Sequence, residues 1–224
     1  MAIRHAAALL GRAVRHCYLV FGLSFLVVSA RANVITSDPG WTAFPMPAVE
    51  ATGTGPQTFG SPITVTWTST NAFNSGGSLF GWDLGYGFGA NGNWDTSVVM
   101  AGLNSATDLF GTTDTMTFTF SSPVSGVAGF INYVPGFSTP TTIAVWDGTS
   151  MIESFNLTFL TAGGTNQGMF LGFQESGPIT SFTLTDNFIG IMDLELLPTP
   201  EPASLILLGS ALLCGMALRR KLSR

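Results

Sequence analysis

The feature that most constrains this chain is the segregation of its charge. All eight basic residues lie at the two ends, at Arg4, Arg12, Arg15 and Arg31 and again at Arg219, Arg220, Lys221 and Arg224. All thirteen acidic residues, from Asp38 to Glu201, lie between them. The segment from Asn33 to Leu218 therefore has no Lys, Arg or His, and its charge is set by carboxylates alone. No salt bridge can form inside such a domain, and it repels phosphate backbones, which excludes nucleic acid as a partner. The reactive residue types follow the same division. His5, His16 and Cys17 precede Asn33, and Cys214 lies near the other end. Without Cys the domain cannot form a disulfide, so packing or a bound ion must hold it together.

Both basic ends flank apolar runs. Arg4, Arg12 and Arg15 precede the apolar stretch 17–28, and Ala30-Arg31-Ala32 follows it. Basic, apolar and small-residue regions in that order predict a secretory signal peptide over 1–32, cut by signal peptidase between Ala32 and Asn33. The apolar stretch is too short to span a bilayer, which needs about 20 residues. At the other end Pro200-Glu201-Pro202 leads into apolar residues 203–218, and Arg219-Arg220-Lys221 closes the run. As a helix this run reaches about 24 Å, close to a hydrocarbon core. A single transmembrane helix is expected there, with its basic stop in the cytoplasm and the acidic domain outside. The predicted organisation is a signal peptide at 1–32, an extracytoplasmic domain at 33–197 and a sorting segment at 198–224.

The tail resembles the PEP-CTERM sorting signal of exosortase substrates in Gram-negative bacteria. The resemblance rests on Pro200, Glu201 and Pro202, the apolar run and the basic end, in that order. It implies recognition by an exosortase-like protease near the proline motif, anchoring by 203–218 before processing, and delivery to the cell envelope or beyond. The segment from 197 to 200 lacks the glycine of the LPxTG signal.

Between the signals, short apolar runs separated by Gly, Pro, Ser and Asn predict strands. The expected strands are 63–68, 96–100, 115–120, 127–134, 141–146, 152–160, 169–173, 179–185 and 189–196. Residues 115–120 alternate strictly, so Met116, Phe118 and Phe120 should face a core. The same pattern sends Phe182 and Leu184 inward. Turn signals are read at Ser122-Pro123, Pro135-Gly136, Asp147-Gly148, Gly163-Gly164 and Gly177-Pro178. No stretch has helical periodicity. The expected fold is all-β, an antiparallel, jelly-roll-like β-sandwich. Residues 87–95, 101–104, 118–124, 129–136 and 189–194 are also similar to a series in a family of PEP-CTERM sorting-domain proteins. That likeness implies a β-sandwich and an extracellular home, and no activity.

Catalysis by Ser–His–Asp, Cys–His or Lys chemistry is excluded by composition, as is a His or Cys zinc site. Two carboxylates acting as a glycosidase remain an alternative. The segment 71–95 interleaves aromatic rings with Asn, Gly and Asp. Trp82, Asp83, Tyr86 and Trp94 are candidate ligand-binding residues, since sugars stack on rings and bond to amides. The same rings could simply fill the core, and packing is the favoured reading. Asn91, Asn93 and Asp95 alternate on a Gly-rich loop and are candidate ligands for a structural Ca2+, without the EF-hand pattern. The expected function is that of a non-enzymatic surface or matrix protein associated with exopolysaccharide, with a carbohydrate-binding module as the alternative.

Overall fold

The computed structural model describes residues 33–71, 77–104, 113–137, 140–186 and 188–199. Among these there is no α-helix, and no helix is long and apolar enough to cross a membrane. The expected signal-cleavage residues Ala30 and Ala32, the motif Pro200-Glu201-Pro202, the run 203–218 and the expected basic stop Arg219, Arg220 and Lys221 lie outside the described residues.

The elements run β1 (Asn33–Ile35), β2 (Thr42–Ala43), β3 (Ala51–Thr52), β4 (Gln57–Phe59), β5 (Val65–Ser69), β6 (Ser78–Trp82) and β7 (Tyr86–Gly87). A 3-10 turn follows at Gly89–Asn91, then β8 (Asn93–Trp94), β9 (Met100–Asn104), β10 (Asp114–Tyr133), β11 (Thr142–Asp147), β12 (Ser150–Asn156), β13 (Met169–Asp186) and β14 (Phe188–Pro198). Every strand pair is antiparallel. Twelve strands form one continuous sheet, and β7 and β8 form a separate ribbon.

Two long strands organise the sheet. The first half of β10 pairs with β5 and with the second half of β13, which carries β11 and then β12. The second half of β10 pairs with the first half of β13 and with β14, which leads on through β9 to β6 and β3. Between the halves the register slips at Thr119/Val124 and Val124/Gly126. The prolines Pro123 and Pro178 sit in these irregular stretches, where a residue without an N–H removes no ladder bond. Ser122-Pro123 and Gly177-Pro178 are therefore bends within strands, not turns between them. Expected strands 115–120 and 127–134 are one strand, as are 169–173 and 179–185.

The bends double the sheet over a core. Trp67 on β5 and Phe80 on β6 are far apart along the sheet, yet their rings lie 5.3 Å apart, and Phe59 packs on Phe80 at the same distance. Met116, Phe118 and Phe120 are buried as the alternation requires, and Phe118 stacks on its register partner Phe182 at 6.3 Å. Residues from both halves, among them Ile143, Leu171, Ile191 and Leu196, join one core cluster. Each such side chain stabilises the fold by roughly 1.5–3 kcal/mol on burial.

Two expected strands end differently. Residues 96–99 are a turn and not a strand; the strand begins at Met100. The cause is local, since Asp95 Oδ1 accepts from both the backbone N–H of Ser97 at 2.9 Å and its hydroxyl at 2.5 Å. The expected strand 152–160 stops at Asn156. Leu157 N–H then donates to Thr141 O at 2.9 Å, and the chain leaves the sheet.

Candidate functional site

The rim where β14 ends is the structural setting of the C-terminal segment. Val124 faces Pro198 in the last register pair of β10 and β14. Ser125 Oγ donates to Leu197 O at 3.2 Å and to Pro198 O at 3.3 Å, and Thr199 Oγ1 donates to Pro123 O at 3.0 Å. The fold thus grips the chain through Thr199. The next residue is Pro200. The ladder also places Asn33, Gln174, Gly126 and Leu197 in one row across β1, β13, β10 and β14. Three strand spacings separate the first from the last, or about 14 Å. The expected cleavage point beside Asn33 and the start of the C-terminal motif therefore leave the domain from one rim. Trp41 closes the row, its indole lying so tightly over Gly126 that a Cβ there would sit 2.4 Å from the ring. Its backbone N–H donates to Glu195 Oε2 at 3.2 Å.

The aromatic segment packs inward. Trp94 is 1% exposed, and its Nε1 donates to Gln167 O at 2.6 Å. It meets Phe88 edge to face at 4.7 Å, and Phe88 meets Tyr86 at 4.8 Å. Phe88, Trp94, Met100 and Met192 form a second, smaller core against which Trp82 and Tyr86 rest. Trp82 Nε1 donates to Gly85 O at 3.1 Å, and Tyr86 Oη donates to Leu103 O at 3.2 Å. Burial pushes the Tyr86 phenol up, and the charge of Asp186 adds to the shift. Trp94 consequently has no face to offer a sugar, which corrects its assignment as a ligand-binding residue. Trp82, Asp83 and Tyr86 are partly exposed, and Asp83 Oδ1 is a buried atom without a hydrogen-bond partner.

The expected calcium loop is a latch between two loops. Asn91 is buried, donates to Tyr133 O at 3.2 Å, and accepts through Oδ1 from Thr161 N at 3.0 Å. Asn93 is exposed, and its backbone pairs with the second loop through Gly164 O and Asn166 N. Asp95 accepts from Ser97 and from Asn166 Nδ2, and these bonds hold its carboxyl below the usual carboxylate range. The side chains of Asn91 and Asp95 are thus engaged by other protein groups, and Asn93 joins the second loop through its backbone. Among the described residues no group of three or more His, Cys, Asp or Glu could hold a metal ion.

Sequence reasoning missed Asn132, the centre of this latch. It is fully buried and donates to Asn91 O and to Gln167 O, both at 3.0 Å. A lone Asn inside the apolar run from Val127 to Val134 is the signal that marks it. Beside the latch lies an open groove of about 450 Å³, lined chiefly by Phe130, Phe159, Leu160, Asn166, Gln167 and Met169. No carboxylate lines it.

A family model described as a PEP-CTERM protein-sorting motif matches residues 198–221. The chain carries a PEP-CTERM sorting motif. No curated protein and no solved structure matches the chain. The motif indicates that the protein is exported, processed by an exosortase and directed to the cell envelope or surface. Its matched segment begins at Pro198, the last residue of β14, so the sorting signal starts where the ladder stops.

Proposed function

We propose that this protein is a non-enzymatic component of the cell surface or extracellular matrix, associated with exopolysaccharide. We take its doubled sheet to be a jelly-roll-like sandwich, cleaved from its leader after Ala32. The observation that carries the reading is the grip on β14 as far as Thr199, which hands the motif to a protease directly outside a compact domain. The absence of Lys, Arg, His and Cys from 33–213 supports a role without catalysis. The carboxylate-free groove gives a glycosidase no acid pair to use there. Removing 200–224 should leave the domain folded but abolish its retention at the surface, read by cell fractionation. Unchanged surface retention would defeat the sorting role. Co-sedimentation of the mature domain with purified host exopolysaccharide tests the association.

The groove supports a second reading, a carbohydrate-binding module. Phe130 and the 72% exposed Leu160 supply apolar contact, and Gln167 supplies an amide. On this reading the groove, and not Trp94, holds the sugar. Leu160→Asp should then abolish retention on a glycan column without lowering the melting temperature; retention of that variant would discard the idea.

A further inference from the structure

Glu175 is the least satisfied ionisable group among the described residues. It is 5% exposed, and neither carboxylate oxygen has a hydrogen-bond partner. Burial pushes its carboxyl up, and the charge of Glu153 pushes in the same direction. A carboxylate in that position calls for a cation. The sequence from Asn33 to Leu218 provides none on any side chain.

The ladder shows where one can come from. Asn33 pairs with Gln174, Val34 with Phe173 and Ile35 with Gly172. In an antiparallel register the backbone nitrogen of Asn33 then lies toward the next residue of β13, which is Glu175. Neighbouring strands lie about 4.8 Å apart, within reach of a glutamate side chain. Val34 and Phe173 share one face, and by the alternation of a strand Glu175 projects to the face of Phe173.

We propose that cleavage of the leader creates the missing cation, and that the α-ammonium of Asn33 docks on Glu175. Hydrolysis breaks the Ala32–Asn33 peptide bond. The hydroxyl of water goes to the carbonyl of Ala32, and the Asn33 nitrogen gains protons to become an ammonium. Before cleavage that nitrogen is a neutral amide, and Glu175 has no counter-ion among the described residues. After cleavage the first strand of the mature domain is fastened by an ion pair, with Glu153 adding to the local negative field. Removal of the leader thus completes the fold at the rim from which the chain leaves. This rests on the proposed cleavage after Ala32.

The test is the reactivity of the amine. N-terminal sequencing of the protein from its host first checks the cleavage reading; a start other than Asn33 defeats that reading. The docking is read separately on the chain Asn33–Arg224 in detergent, labelled with acetic anhydride at pH 7, with Lys221 as the internal reference amine. An opposite charge at this range raises an amine pKa by at least one unit above its ordinary value of about 7.7–8.0, so labelling should be about tenfold slower than in Glu175→Gln. Retaining Ala30–Ala32, which moves the amine three residues away, should restore fast labelling with Glu175 intact, and this form keeps the test decisive if Glu175→Gln fails to fold. Equal labelling rates in the Asn33 chain and the extended chain would overturn the docking.

Discussion

Asn132 and Asn91 hold each other across the sheet: Asn132 Nδ2 donates to Asn91 O at 3.0 Å, while Asn91 Nδ2 donates to Tyr133 O, the neighbour of Asn132, at 3.2 Å. Both residues are fully buried, so neither amide can turn to water instead. Asn132→Leu keeps the volume and removes the donors. It leaves the buried Tyr133 N–H without its partner, at about 1–3 kcal/mol, and takes one of two donors each from Asn91 O, which keeps Thr161 Oγ1, and Gln167 O, which keeps Trp94 Nε1. The expected loss is about 3 kcal/mol by urea denaturation, with early hydrogen exchange at 88–97 and 161–168. A loss under 0.5 kcal/mol would show that the latch is not structural.

Gly190 lies under the aromatic cluster. A Cβ there would sit 2.8 Å from Met100 Cε, 3.0 Å from Trp94 and 3.1 Å from Phe88. Gly190→Ala should cost about 1–3 kcal/mol by overpacking. Met100 is the flexible member of the cluster, so adding Met100→Ala should recover part of the loss in a double-mutant cycle. Additive losses would place the strain elsewhere.

Glu195 carries a pH signature. Its carboxyl is pushed up, chiefly by partial burial and by the charge of Asp38, with Asp193 adding and the bond from Trp41 opposing. A folded-state pKa above the unfolded value means the group stabilises the fold at low pH, and that contribution is lost as pH rises through the folded value. Asp95 acts in the opposite sense. Its pKa is lowered by Ser97 and Asn166, so its contribution is present above the unfolded value and lost as pH falls through the folded one. The melting temperature should therefore rise on mild acidification from pH 7 and fall again on stronger acidification. Glu195→Gln should flatten the first limb and Asp95→Asn the second, read by scanning calorimetry.

Thr199 marks the end of the folded grip. Ending the chain after Thr199 should leave stability within about 0.5 kcal/mol, as for a change outside packed structure. Ending it after Met192 removes buried Leu194 and Leu196 and should unfold the domain. Circular dichroism of the two truncations reads the difference.

The sequence revealed the core-facing side of the strands more readily than their ends. Met116, Phe118 and Phe120 alternate with threonines, and that period survives any tertiary context in which one face is buried. Pro123 and Pro178 misled because the same residue that ends a strand can also sit in a bulge, and only the partner strands distinguish the two. At 96–100 the β-branched residues suggested a strand, but Asp95 captures Ser97 and closes a turn first. The Asn- and Gly-rich segment was singled out correctly as unusual. Its meaning depended on the loop at 161–167, about 70 residues away, which no local pattern could supply. Asn132 and Glu175 are legible in hindsight as polar residues adjoining apolar runs.

The row from Asn33 to Leu197 crosses the long strands at the bend between their halves, and the groove beside Phe130 and Met169 lies toward the far end of the second half of β10. Between Gly126 and Ile131 the strand advances five residues, about 16 Å. The grooved pole is therefore set back along the strand from the rim at which the chain leaves the ladder, so a ligand there and a protease at the motif would not compete for the same space.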